Sequence, residues 1–320
     1  MKFTSICILL SLILVCSSIY RSWAQAPETP KIAFTSSREG NRDIYLMNPD
    51  GTQQVKITNH RAIDGMPVWS PTGEQILFAS DRNKQKLHWD IYLMDADGGN
   101  VRAVFAKSAD RSQPMWSPDG KQIAYLRREP SGNFIYIATI DGKHEEKVAI
   151  GSCPTWSPDG TEIAFVSGRP DRSHISILSL DTRKQKVIFP PKARPSWISG
   201  RVVWSPKGDK LAFSWLHRVP LADFADTQTI YIINRDGTGL VQLVDEAGPQ
   251  AADAVWSPQG DALLYIHRHR QVFKIGIDNK QVEQLTHIGI NFLGDWFDPA
   301  YALPVSPRPQ LLTTMWGKLK

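Results

Sequence analysis

Five segments of the chain carry the same five-residue phrase. Trp-Ser-Pro-x-Gly begins at Trp69, Trp116, Trp156, Trp204 and Trp256, and a degenerate sixth copy, Trp-Phe-Asp-Pro-Ala, begins at Trp296. Successive tryptophans stand 47, 40, 48, 52 and 40 residues apart. A period of about 40–45 residues is the length of four short strands with their turns, the unit of a radially repeated sheet. Ser-Pro-x-Gly itself spells a type I turn: Ser at the first position, Pro presetting φ at the second, Gly accepting the left-handed position at the fourth.

Each turn is followed by a β-rich run, as in QILFAS, QIAYLR, EIAFVS, KLAFSW and ALLYIH. A second run then ends in Asp-Gly or a close substitute, as in DIYLMNPDG, DIYLMDADG and TIYIINRDG. The unit therefore reads strand a with the tryptophan, turn, strand b, loop, strand c, turn, strand d. The sequence predicts an all-β fold, a six-bladed β-propeller of four-stranded antiparallel blades. One sheet cannot bury both its faces alone, whereas blades stacked around an axis leave only short edges. The tryptophan is predicted to fill the wedge between neighbouring blades. Residues 31–58 supply strands b, c and d without a strand a, and the segment at Trp296 supplies a strand a without a blade, so the ring is predicted to close across the termini.

Composition bears on compartment. Lys2 followed by the ten-residue apolar run Ile6–Val15 and the small-x-small segment Ser22–Ala24 reads as a signal peptide, residues 1–24, removed on export. Cys16 invites a lipid anchor, but Val15 before it is not the small residue such a site requires. Cleavage removes Lys2 and Arg21 and no acids, so the formal net charge falls from +5 to +3, too mild to argue for nucleic acid. Of three cysteines only Cys153 would remain, so no internal disulfide is expected. The mature chain is divided into a short leader 25–30, a propeller 31–297 and a C-terminal tail 298–320, and it is placed in the periplasm or outside the cell, with no transmembrane segment after signal removal.

The pattern W-S-P-D-G … I-A-F-x-S-x-R … D-I-Y-x-M-x-x-D-G resembles the WD40-like propeller repeat of the TolB family, from about Lys31 to Trp296. Similar repeats occur in the propeller domains of tricorn and prolyl-oligopeptidase-like proteases. The resemblance concerns the propeller alone, without the N-terminal domain that TolB carries. It implies an exported, non-catalytic ring that docks a protein or peptide partner of the cell envelope at its mouth. No G-x-S-x-G nucleophile elbow accompanies the repeats.

Within such a ring the b–c loops and blade-to-blade links share one face, and that variable face is where function is expected. Residues just before each tryptophan should edge the mouth of the channel: Asp64, Arg111, Ser152, Arg201, Asp253 and Asn291. His217, His267 and His269 fall in the same loops, among arginines that either give the mouth a basic character, suited to an acidic partner such as a carboxylate-bearing peptide or an anionic glycan, or stand solvated beside it. His267 and His269 share one face of a strand, a spacing two metal ligands can use and two surface histidines equally can, and no metal or cofactor is expected. Asp95–Asn100 begins like a calcium loop, but its twelfth position is Ala106, so it reads as a hairpin turn. The alternative to peptide docking is a propeller that binds or degrades acidic glycans at a basic loop face.

Overall fold

The computed structural model describes residues 24–83, 88–169, 172–189, 196–217, 228–245, 250–267 and 270–304. Residues 1–23 of the predicted signal peptide 1–24, the tail from 305 and His269 lie outside these residues. Among the described residues twenty-four strands form six blades. The second blade, taken as the type, runs Asp64–Trp69, Gln75–Ser80, Asp90–Asp95 and Arg102–Ala103, each strand antiparallel to the next. The first blade takes its innermost strand, Asn291–Phe297, from the far end of the sequence and pairs it with Lys31–Ser36. The ring is thus closed by hydrogen bonds between its two termini, and no inner edge is left open.

The predicted turns are realised atom by atom. The turn glycine donates to the carbonyl of the turn serine in every intact copy, from Gly73–Ser70 at 2.8 Å to Gly260–Ser257 at 2.9 Å. The serine hydroxyl then accepts the first backbone N–H of strand b, as Ser117 does from Gln122 at 2.9 Å. Each turn also leans on the blade before it: Gly120 lies over Pro71, Gly160 over Pro118, Gly208 over Pro158 and Gly260 over Pro206. In the second blade Phe297 replaces the missing proline and occupies the space a Cβ on Gly73 would need.

Six apolar clusters fill the six gaps between blades, and each contains one repeat tryptophan. Trp69, Trp116, Trp156, Trp204 and Trp256 are buried, and Trp296 is half-buried. The indoles do more than fill volume. The Nε1–H of Trp116 donates to Val68 O of the preceding blade at 3.3 Å, that of Trp204 to Thr155 O at 3.3 Å and that of Trp256 to Val203 O at 3.2 Å. The described tail residues fold back over the second blade, where Leu303 N–H donates to Pro71 O at 2.9 Å.

Candidate functional site

The antiparallel order places the start of each inner strand at the loop face and its tryptophan near the turn face. All six inner strands carry a bulge at the same depth: Met66-Pro67, Gln113-Pro114 and Cys153-Pro154 each oppose a single residue of the next strand, and Gly200-Arg201, Asp253 and Gly294 oppose none. Five of them hold a left-handed residue: Met66 (φ 56°), Gln113 (56°), Cys153 (54°), Gly200 (74°) and Asp253 (57°). Such a bulge re-aims a side chain and is uncommon for non-glycine residues. Here the outcome is a cavity of about 160 Å³ on the axis, lined by Met66, Gln113, Cys153, Arg201, Asp253 and Phe292 among others.

The residues predicted to edge the mouth divide into two tiers. Asp64, Arg111 and Asn291 stand five positions before their tryptophans and are at most 2% exposed. Asp64 receives Arg82 Nη2 on both carboxylate oxygens at 2.8 Å, and that guanidinium lies over the Phe78 and Tyr92 rings. Arg111 pairs with Asp90 at 3.2 Å and Glu145 at 3.0 Å, donates to Lys107 O at 2.9 Å and covers the Phe105 ring. The Asn291 amide donates to Arg270 O and Ile288 O at 3.1 Å. These three side chains hold inner strands to their surroundings, and of their polar atoms Arg111 Nε and Asn291 Oδ1 are buried without a hydrogen-bond partner among the described residues.

Arg201 and Asp253 stand three positions before their tryptophans, in the bulges, and face the axial cavity. Asp253 Oδ1 accepts from the Arg201 backbone N–H and from Arg201 Nε, both at 3.3 Å. The Nη2 of Arg201 is buried with no hydrogen-bond partner among the described residues. Ser152, four positions before Trp156, opens its strand and is half-buried. Gln113 Oε1 accepts the Cys153 N–H at 2.8 Å, tying the third blade to the fourth across the cavity wall. Burial, followed by the nearby charge of Asp253, pushes the Cys153 thiol up to about 11.

His267 does not join this site. His267 packs on Phe273, ring centres 4.8 Å apart, in an outer groove between the fifth and sixth blades. His217 ends a strand at the loop face, and nothing further is described of its side chain. No group of three His, Cys, Asp or Glu residues able to hold a metal occurs among the described residues. The loop-face arginines are less available than their number suggests, because Arg82, Arg111, Arg127, Arg128 and Arg201 all pair with acids.

Sequence reasoning missed Met66, Gln113 and Cys153. A signal for them exists: MPVW, QPMW and CPTW share x-Pro-x-Trp, and a proline inside a strand is at home at a bulge.

The profile of the TolB β-propeller domain matches residues 16–153 and 135–300. The TolB homolog of Chlorobium luteolum is 48% identical over 52 residues, 16% of this chain and 12% of that protein. The Tol-Pal system protein TolB of Geobacter sulfurreducens is 42% identical over 52 residues, again 16% of this chain and 12% of the relative. The matched stretch therefore spans about an eighth of these relatives. Among solved structures, TolB from Acinetobacter baumannii superposes with a TM-score of 0.69 at 19% identity, covering 88% of this chain and 71% of that one.

Proposed function

The chain belongs to the TolB β-propeller family, and from that premise we propose that it is an exported, non-catalytic docking ring that holds a protein or peptide partner of the cell envelope at its loop-face mouth. The observation that carries this reading is the axial cavity. Six bulged strands bring apolar walls and a few polar groups to one point on a rigid scaffold, the make-up of a recognition pocket. Binding on a ring that does not deform costs little ordering of its own loops. Met66, Met115, Leu293 and Phe292 offer contact to apolar side chains and few partners to a sugar's hydroxyls, which favours peptide over glycan. Asp64, Arg111, Asn291, Ser152 and His217 would then shape or support the mouth, with Arg201 and Asp253 nearest the ligand.

Export of residues 25–320 follows from the signal reading of residues 1–24, and mature protein beginning at Gln25 is its expected signature. Among the described residues no helix is long and apolar enough to cross a membrane. For docking, immobilised mature protein should capture a discrete partner from an envelope extract. Met66→Trp, which fills the cavity, should abolish capture, while Lys207→Glu on the turn face should leave it intact. Undiminished capture by a folded Met66→Trp variant overturns the reading, and retention of uronic-acid oligomers in place of protein supports the glycan alternative.

A further inference from the structure

The axial cavity has an unequal supply of polar groups. Its donors are in surplus: Arg201 Nη2 is buried without a partner, and Gln113, whose oxygen is taken by Cys153 N–H, has only its amide NH₂ left to offer. Its one ionic acceptor is engaged on one oxygen, since Asp253 Oδ1 takes N–H groups from Arg201 twice and from Ala254 at 3.2 Å. A buried guanidinium nitrogen without an acceptor is costly, and the cost is removed by a ligand that brings one. Around these donors stand Met66, Met115, Leu293 and Phe292. Gly200, in the left-handed region beside Arg201, keeps a Cβ out of the space next to Asp253, whose Oδ1 would lie 3.2 Å from it. The volume, about 160 Å³, equals roughly five waters at about 30 Å³ each.

Resting on the docking function proposed above, we infer that the cavity recognises a carboxylate carried on a short apolar stem, with Arg201 Nη2 and the Gln113 amide as donors and Met66, Met115 and Phe292 around the stem. A peptide supplies this chemistry either as a C-terminal carboxylate after an apolar residue or as an acidic side chain. The second acid near Arg201 does not pre-empt the ligand. Burial pushes the Asp295 carboxyl above its ordinary range, and its two oxygens accept the Trp69 and Trp296 N–H groups.

The methionines that line the cavity report occupancy directly. With methionine methyl groups labelled, isocaproate should shift the Met66 and Met115 resonances, and isocaproamide should need at least about tenfold more ligand, the value of a charge-assisted hydrogen bond. Arg201→Gln should bring acid and amide level, and Arg201→Lys should keep part of the preference; near-ultraviolet circular dichroism checks that both variants are folded. A peptide ending in a free leucine carboxylate, the same peptide amidated, and an amidated peptide with an internal Glu separate the two sources. Equal response to acid and amide, or methyl signals unmoved up to the solubility limit, overturns the carboxylate assignment. The two readings fail separately. Partner capture that survives Arg201→Gln, with acid and amide equal in the wild type, removes this inference and leaves docking standing. Capture that survives Met66→Trp removes docking itself.

Discussion

A single glycine illustrates how closely the ring is built. Gly73 has φ +73°, and a Cβ there would clash with the Phe297 ring, which packs tilted against Trp69 with ring centres 5.4 Å apart. Gly73→Ala therefore incurs both left-handed strain and overpacking, together about 2–4 kcal/mol in urea unfolding, and Phe297→Ala in the same chain should return part of it. Cys153 makes a prediction of another kind. Its folded thiol is held up to about 11 by burial, against about 8.5–9 in an unfolded chain. Between those values the unfolded chain gives up a proton that the folded chain keeps. The stabilisation is complete below about pH 8.5 and is lost as pH rises towards 11, by about 3 kcal/mol in all. Cys153→Ala should remove that alkaline slope, and native Cys153 should resist iodoacetamide at pH 8 until the protein is unfolded.

At the scale of the blade, the junction between neighbours is the unit of stability. Each junction joins an apolar cluster to a polar seam, and the second-to-third junction has a seam of Asp90, Arg111 and Glu145, with the Tyr125 hydroxyl donating to Glu145 at 2.7 Å. Arg111 and Asp90 are both 2% exposed, so removing the cation strands a buried carboxylate. Arg111→Ala should cost about 3–5 kcal/mol by urea unfolding, and adding Asp90→Asn should recover a good part, because the uncompensated charge goes with it. A fall below about 1 kcal/mol would mean that solvent reaches the seam. The fourth and fifth blades are joined further by a parallel contact between Arg172 and Ser196 and by the Ser173 hydroxyl accepting Ile198 N–H at 2.7 Å.

At the scale of the molecule, closure makes the ring one cooperative body. The strand Asn291–Phe297 joins the first blade to the sixth and presents Asp295 Oδ2 to the Trp69 N–H of the second at 3.0 Å. A chain ending before Asn291 should lose far more than one strand's worth of stability, since it opens an inner edge and uncovers two junctions. Its urea transition should broaden and fall in midpoint. A truncated chain that unfolds as sharply as the full one would show that the blades are independent. The same closure keeps the six bulges at one depth, without which the axial cavity would not exist as a site.

Local chemistry carries far in such a chain. The turn phrase, the alternating runs and the recurrent indole were enough to deduce six blades and their strand order, because each is set by residues close in sequence, and the closing strand followed from the incomplete units at the two ends. The site was only half legible. Counting back from tryptophan picked out Arg201 and Asp253, which line the axial cavity, but it also gathered in Asp64, Arg111 and Asn291. Their partners, Arg82, Asp90 with Glu145, and Arg270 with Ile288, come from other strands or other blades. One residue inserted into a pleated strand turns every side chain before it to the opposite face. Distance along the chain therefore could not tell a residue that lines the axis from one that anchors a strand, and only the pairing of each bulged inner strand with its neighbour decided between them.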